Sequence, residues 1–155
     1  MRIFTLICAL MAWATSSQAQ VVFDGTFRLS QIEGVKVMII DTATGACWTN
    51  LKEVREYAEE KLRIKDAKIL GQNDLIHASL KNYGLAVEVF ARRLYTDDSG
   101  PCIGGVTLSL FTFAKVNEKM HVAQIAMHSR ILTDHQNLNR LAINLTAELI
   151  GKIQR

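Results

Sequence analysis

The chain reads as a two-layer α+β sandwich: a mostly antiparallel sheet with two helices packed on one face. Three observations predict this. A strand-like run ending at Asp41 is followed by a charged amphipathic helix from Leu51. The middle of the chain is a series of β-rich runs joined by short turns. The C-terminus is one long apolar helix. The order is β-α-β, then a β-meander, then a helix.

Residues 1–19 are set aside from the fold as a signal peptide. Met1-Arg2 is a short positive start, Ile3 to Trp13 is almost wholly apolar, and Ser17 and Ala19 are the small residues before a cut between Ala19 and Gln20. The apolar run falls short of the ~20 residues a membrane span needs. Cys8 follows Ile7, where lipoprotein processing needs a small residue, so no lipid anchor is expected. Residues 20–155 then form a single α+β domain, long enough for a sizeable core. The full chain has 18 basic and 15 acidic residues, and removing Arg2 leaves 17 against 15, a net +2. So small an excess gives no electrostatic case for nucleic acid or an anionic membrane.

Within the domain, Gln20 to Ser30 reads as extended, with Asp24-Gly25 as a turn. Val35 to Ile40 is rich in β-branched residues and nearly continuous in hydrophobicity, which predicts an interior strand buried on both faces. Asn50 and Glu53 have the spacing of a capping box. Leu51, Val54, Ala58 and Leu62 recur at helical spacing, with the charged residues between them on a solvated face. A short strand is expected at Ala67 to Leu70 and a turn at Gly71 to Asp74. The alternation of Ile76, Ala78 and Leu80 predicts a further strand. Asn82-Tyr83-Gly84 is its hairpin connection to a longer strand from Leu85 to Tyr95.

Thr96 to Pro101 is a loop, Val106 to Phe113 a strand suited to a pleated surface, and Val116 to Lys119 a tight turn. Met120 to Leu132 alternates as the next strand. The last helix is expected from about Gln136 to Ile153, capped by Thr133 or Asp134. Its stripe of Leu138, Leu141, Ala142, Leu145 and Leu149 is widened by Ile143, Ile150 and Ile153 to roughly 200° of the circumference. Either the sheet and first helix cover this face, or a partner does, which makes Ile143 and Ile150 candidate contacts. By element order alone the chain resembles small α/β modules of bacterial envelope proteins, such as the N-terminal domain of the Tol translocation protein. No motif is shared, so no functional residue carries across.

The residues with chemistry point away from catalysis. After signal removal two cysteines remain, Cys47 and Cys102, and in an exported chain two cysteines predict one disulfide. Trp48 beside it is expected to pack over the bridge, with ligand contact as its other role. His77, His121, His128 and His135 show no metal-binding spacing, and His121 and His128 fall on opposite faces of a regular strand. No Gly-x-Ser-x-Gly elbow is present. Thr42-Ala43-Thr44-Gly45 sits where doubly wound folds bind phosphate but has neither lysine nor spaced glycines. Asp97-Asp98 is too few ligands for calcium, and the Asn144-Leu145-Thr146 sequon falls inside a helix. The expected function is an exported, periplasmic or secreted, non-catalytic binding or adaptor module of the envelope. It takes no cofactor and partners an envelope protein or a second copy of itself. A hydrolase assembled from His128, Asp134 and His135 and a small-ligand carrier are the alternatives.

Overall fold

The computed structural model describes residues 32–95, 100–132 and 137–153. The cut between Ala19 and Gln20, the extended Gln20–Ser30 segment, Asp97-Asp98, Thr133, Asp134 and His135 lie outside them. Four strands form one mixed sheet in sequence order: β1 (Gly34–Asp41), β2 (Asn82–Arg93), β3 (Cys102–Val116) and β4 (Lys119–Leu132). β1 runs parallel to β2, and the two later pairs are antiparallel. The β1–β2 crossover contains α1 (Leu51–Ile64), and α2 (Leu138–Lys152) closes the described chain. Both helices lie on one face: α1 packs on β1, α2 on β2, β3 and β4, and the helices on each other.

Alternation determines which residues meet them. Val35 and Val37 share a face with Leu85, Val87 and Val89 of β2 and with Val106, Leu108 and Leu110 of β3. Each of these is essentially sealed from solvent. Burying one such Val or Leu side chain contributes about 2 kcal/mol. Val54, Ala58 and Leu62 of α1 complete this core with Leu141, Ala142, Leu145, Leu149 and Ile150 of α2. The broad apolar face of α2 is therefore covered within the chain.

Four expectations need correction. Among the described residues β1 is an edge strand, not an interior one: its helix-facing residues are buried, but Ile40 on the other face is exposed. Continuous hydrophobicity reflects here a sheet that is apolar on both faces, not one covered on both. The expected Ala67–Leu70 strand is a single bridge, Ile69 to Val35, held by Val35 N–H to Lys68 O at 2.8 Å and Leu70 N–H to Val35 O at 2.9 Å. The expected strand at 76–80 is a 3-10 turn, Ile76–Ala78, and the expected hairpin at Asn82–Gly84 is already the start of β2. Only Ile76 of that alternating set is buried. Capture of the Lys36 ammonium by the carbonyls of Gln72 (2.6 Å) and Asp74 (2.8 Å) ties this connection across the sheet instead of extending it.

Caps and turns show which local signals held. The Asn117-Glu118 pair, with φ of 48° and 65°, makes the tight β3–β4 turn, the left-handed pair that matches strand twist. Asn50 precedes α1 but its side chain does not cap it. Its Oδ1 accepts from the Trp48 indole at 2.7 Å and its amide donates to Glu53 Oε2 at 3.3 Å. α2 is capped by Asn137, whose Oδ1 accepts from Arg140 N–H at 3.2 Å.

Candidate interaction surface

The corner around the cysteines contains most of the residues that the sequence singles out. Cys47 and Cys102 are bonded, S–S 2.07 Å, joining the loop before α1 to the first residue of β3. Trp48 is buried next to Cys47 in the core. Ile150 is buried too, and Ile143 is half-buried against the same core. Trp48 and Ile150 therefore leave the set of candidate contacts, because neither presents a surface to a partner.

The loop that resembles a phosphate cradle has its amides engaged. Thr42 N–H donates to Val89 O (2.9 Å), Thr44 N–H to Ala91 O (2.8 Å) and Ala43 N–H to the Asp41 carboxylate (2.9 Å). The Arg93 guanidinium donates to Gly45 O and Gly100 O, each at 2.9 Å, tying the loop to β2. A shallow cleft of about 350 Å³ opens beside the disulfide, lined by Ala46, Thr49, Pro101 and the start of α2. Its polar groups satisfy each other: Thr49 N–H donates to Asn139 Oδ1 (3.1 Å) and Asn139 Nδ2 to Thr49 Oγ1 (2.8 Å). The cleft is a joint between two helix starts.

The described histidines, His77, His121 and His128, do not converge. His77 meets the edge of Phe113 at 5.8 Å, and His128 Nε2 lies 3.1 Å from Lys152 Nζ. Among the described residues no cluster of metal-ligating side chains forms. The structure does correct the face assignment of His121 and His128. The register shifts between Leu110 and Phe111, so Leu110 opposes Ala126 while Phe111 opposes Gln124, and Ile125 is extra. A bulge of one residue reverses the alternation beyond it. His121 and His128 thus share the helix-side face, too far along the strand to act together. In the Asn144 sequon, Thr146 is buried and donates to Ala142 O at 2.8 Å, an intrahelical role that supports a chance match.

Among the described residues, no helix lies on the other face of the sheet. One end is crossed by the 71–81 connection that Lys36 anchors. Toward the carboxyl end of β2 the face is open among the described residues and exposes four large apolar side chains: Ile40 is 38% exposed, Phe90 47%, Met127 47% and Ile131 73%. Phe90, Gly105 and Ile131 are directly opposed on β2, β3 and β4. The Phe90 ring lies over Gly105, where a Cβ would come within 2.7 Å of Cζ, so a cross-strand aromatic fills the glycine's missing side chain. Glu88 and Arg92 flank Phe90 on the same strand face, and both are exposed. The Thr107 and Ser129 hydroxyls join at 3.0 Å in the row that holds Glu88.

No known family and no curated protein matches the chain. Among solved structures it is similar to a PelC dodecamer from Paraburkholderia phytofirmans, 18% identical, with a TM-score of 0.49 over 84% of this chain and 96% of that one. It is also similar to a minor lipoprotein from Acinetobacter baumannii, 15% identical, with a TM-score of 0.31 over 78% and 90%. A rare lipoprotein B from Shewanella oneidensis is 12% identical, with a TM-score of 0.28 over 76% and 89%. At this distance the likeness concerns chain path, and no residue's role carries across.

The open-face residues are those the sequence did not single out. A signal was present. Phe90 sits between Glu88 and Arg92 on one strand face, the pattern of an exposed aromatic flanked by charge. The stronger apolar run of Leu85, Val87 and Val89 on the opposite face outweighs it in the pattern.

Proposed function

We propose that this chain is an exported binding module of the cell envelope that engages protein through the open end of its sheet. The observation that supports this best is the exposure of Ile40, Phe90, Met127 and Ile131 on one sheet face, around the polar row of Glu88, Thr107 and Ser129. Single exposed apolar residues are ordinary, but four large ones gathered on one sheet face favour an interaction site. The Cys47–Cys102 bond fits folding in an oxidising compartment. The positive, apolar and small-residue order of residues 1–19 supplies the route of export, with Gln20 as the first mature residue. Among the described residues no helix is long and apolar enough to cross a membrane.

Photo-crosslinking in intact cells tests the reading. A benzophenone side chain at Met127 or Ile131 should give discrete protein adducts, and one at Lys52 on the solvated face of α1 should give none. Adducts from Lys52 alone would reject the open face as the binding surface. Sequencing of the exported protein should begin at Gln20.

A further inference from the structure

We infer that the open sheet face binds a second copy of this chain about a two-fold axis passing across the strands at Phe90. The inference rests on the binding-module reading and names its partner. Three features favour a copy over an unrelated protein.

The first is charge. Glu88 and Arg92 lie symmetrically about Phe90 on the exposed face of β2, and neither joins an ion pair among the described residues. An axis at Phe90 that reverses strand direction sets each Phe90 on its mate. It places Glu88 of one copy opposite Arg92 of the other, twice. A self-complementary pattern is what an isologous interface requires, and opposed charges set its register.

The second is area. At the exposures of Ile40, Phe90, Met127 and Ile131, and with side chains of roughly 200 Å², the patch offers on the order of 400 Å² of apolar surface. A standard interface buries about 800 Å² on each partner, a little over half of it apolar. The patch supplies most of that apolar share, and the polar remainder would fall to Glu88, Arg92, Thr107 and Ser129 on the same face.

The third is clearance. The 71–81 connection thickens the opposite end of the same face, where Lys36 and Phe113 hold it. Reversing strand direction about Phe90 sends the two connections to opposite outer ends, so the open halves can meet. A parallel stacking would drive each connection into the other.

Sedimentation equilibrium of the exported chain tests this with a charge-swap cycle at exposed positions. The wild-type protein should dimerise reversibly. Glu88→Arg and Arg92→Glu should each raise the dissociation constant about tenfold or more, by placing like charges opposite one another. The double variant Glu88→Arg/Arg92→Glu should restore it to within about threefold, an outcome that mere loss of folding cannot mimic. Phe90→Asp should be monomeric with an unchanged circular dichroism spectrum. A double variant no tighter than the single ones overturns the two-fold arrangement, as does an assembly insensitive to every swap. A monomer whose Met127 crosslinker still captures a different protein overturns the dimer and leaves the binding-module reading standing. A monomer with no adduct from this face overturns both.

Discussion

Along β2, residues of one parity are sealed beneath two helices, while those of the other parity look outward beyond Ala86. Leu85, Val87 and Val89 are wholly buried, whereas Glu88, Phe90 and Arg92 are exposed. On β4 the open side likewise exposes Met127 and Ile131. Both faces carry large apolar side chains, but among the described residues only one is covered by a layer of helices. Hydrophobicity along a strand therefore does not separate what holds this fold together from what it offers to others. Coverage does.

Substitutions can break or sharpen that contrast. The largest effect is expected at the staple on the helix side. Cys47→Ser removes a bridge between residues 55 apart, worth about 4 kcal/mol on the loop-entropy account. Urea unfolding under oxidising conditions should show it, and an unchanged midpoint would remove the disulfide from the stability of the fold. Leu108→Ala, on the helix side of β3 and fully buried, should cost about 3 kcal/mol through lost transfer energy and a residual cavity.

On the open face the costs should be smaller. Gly105→Ala would press a methyl group against the Phe90 ring and the Arg130 carbonyl, for about 1–2 kcal/mol of overpacking. Ile131→Thr, on a side chain already largely in solvent, should change the unfolding free energy of the isolated chain by less than about 0.5 kcal/mol. A loss as large as that of Leu108→Ala would erase the distinction between the faces. The smallest effect belongs to Tyr83, half-buried on the helix side, where desolvation pushes the phenol above its ordinary pKa. The folded state then keeps a proton that the unfolded chain releases, so stability should fall as pH rises past the ordinary phenol range. Tyr83→Phe should flatten that alkaline loss in pH-dependent unfolding.

Much of this architecture could be read from residue pattern. The spacing of Val54, Ala58 and Leu62, the apolar stripe from Leu138 to Ile150 and the Asn117-Glu118 turn are local signals, and each appears where its period or backbone preference predicts. The signals that misled were short or depended on distant partners. Five alternating residues at 76–80 could not outweigh the pull of Lys36 on the carbonyls of Gln72 and Asp74. Asn50 was drawn from capping by the indole of Trp48. The bulge at Ile125, which puts His121 and His128 on one face, arises from pairing with β3. The exposed apolar face was obscure for a related reason. Exposed and buried apolar residues look alike until it is known which side the helices take.

Methionine oxidation tests the central claim most directly. Met127 stands on the open face, and hydrogen peroxide reads its exposure without any substitution. In dilute purified protein Met127 should oxidise rapidly. In the intact cells that express the protein, the account predicts several-fold protection of Met127 with the Cys47–Cys102 bond retained. Equal rates in both settings would show that nothing covers this face, and would contradict its role as the working surface of the protein.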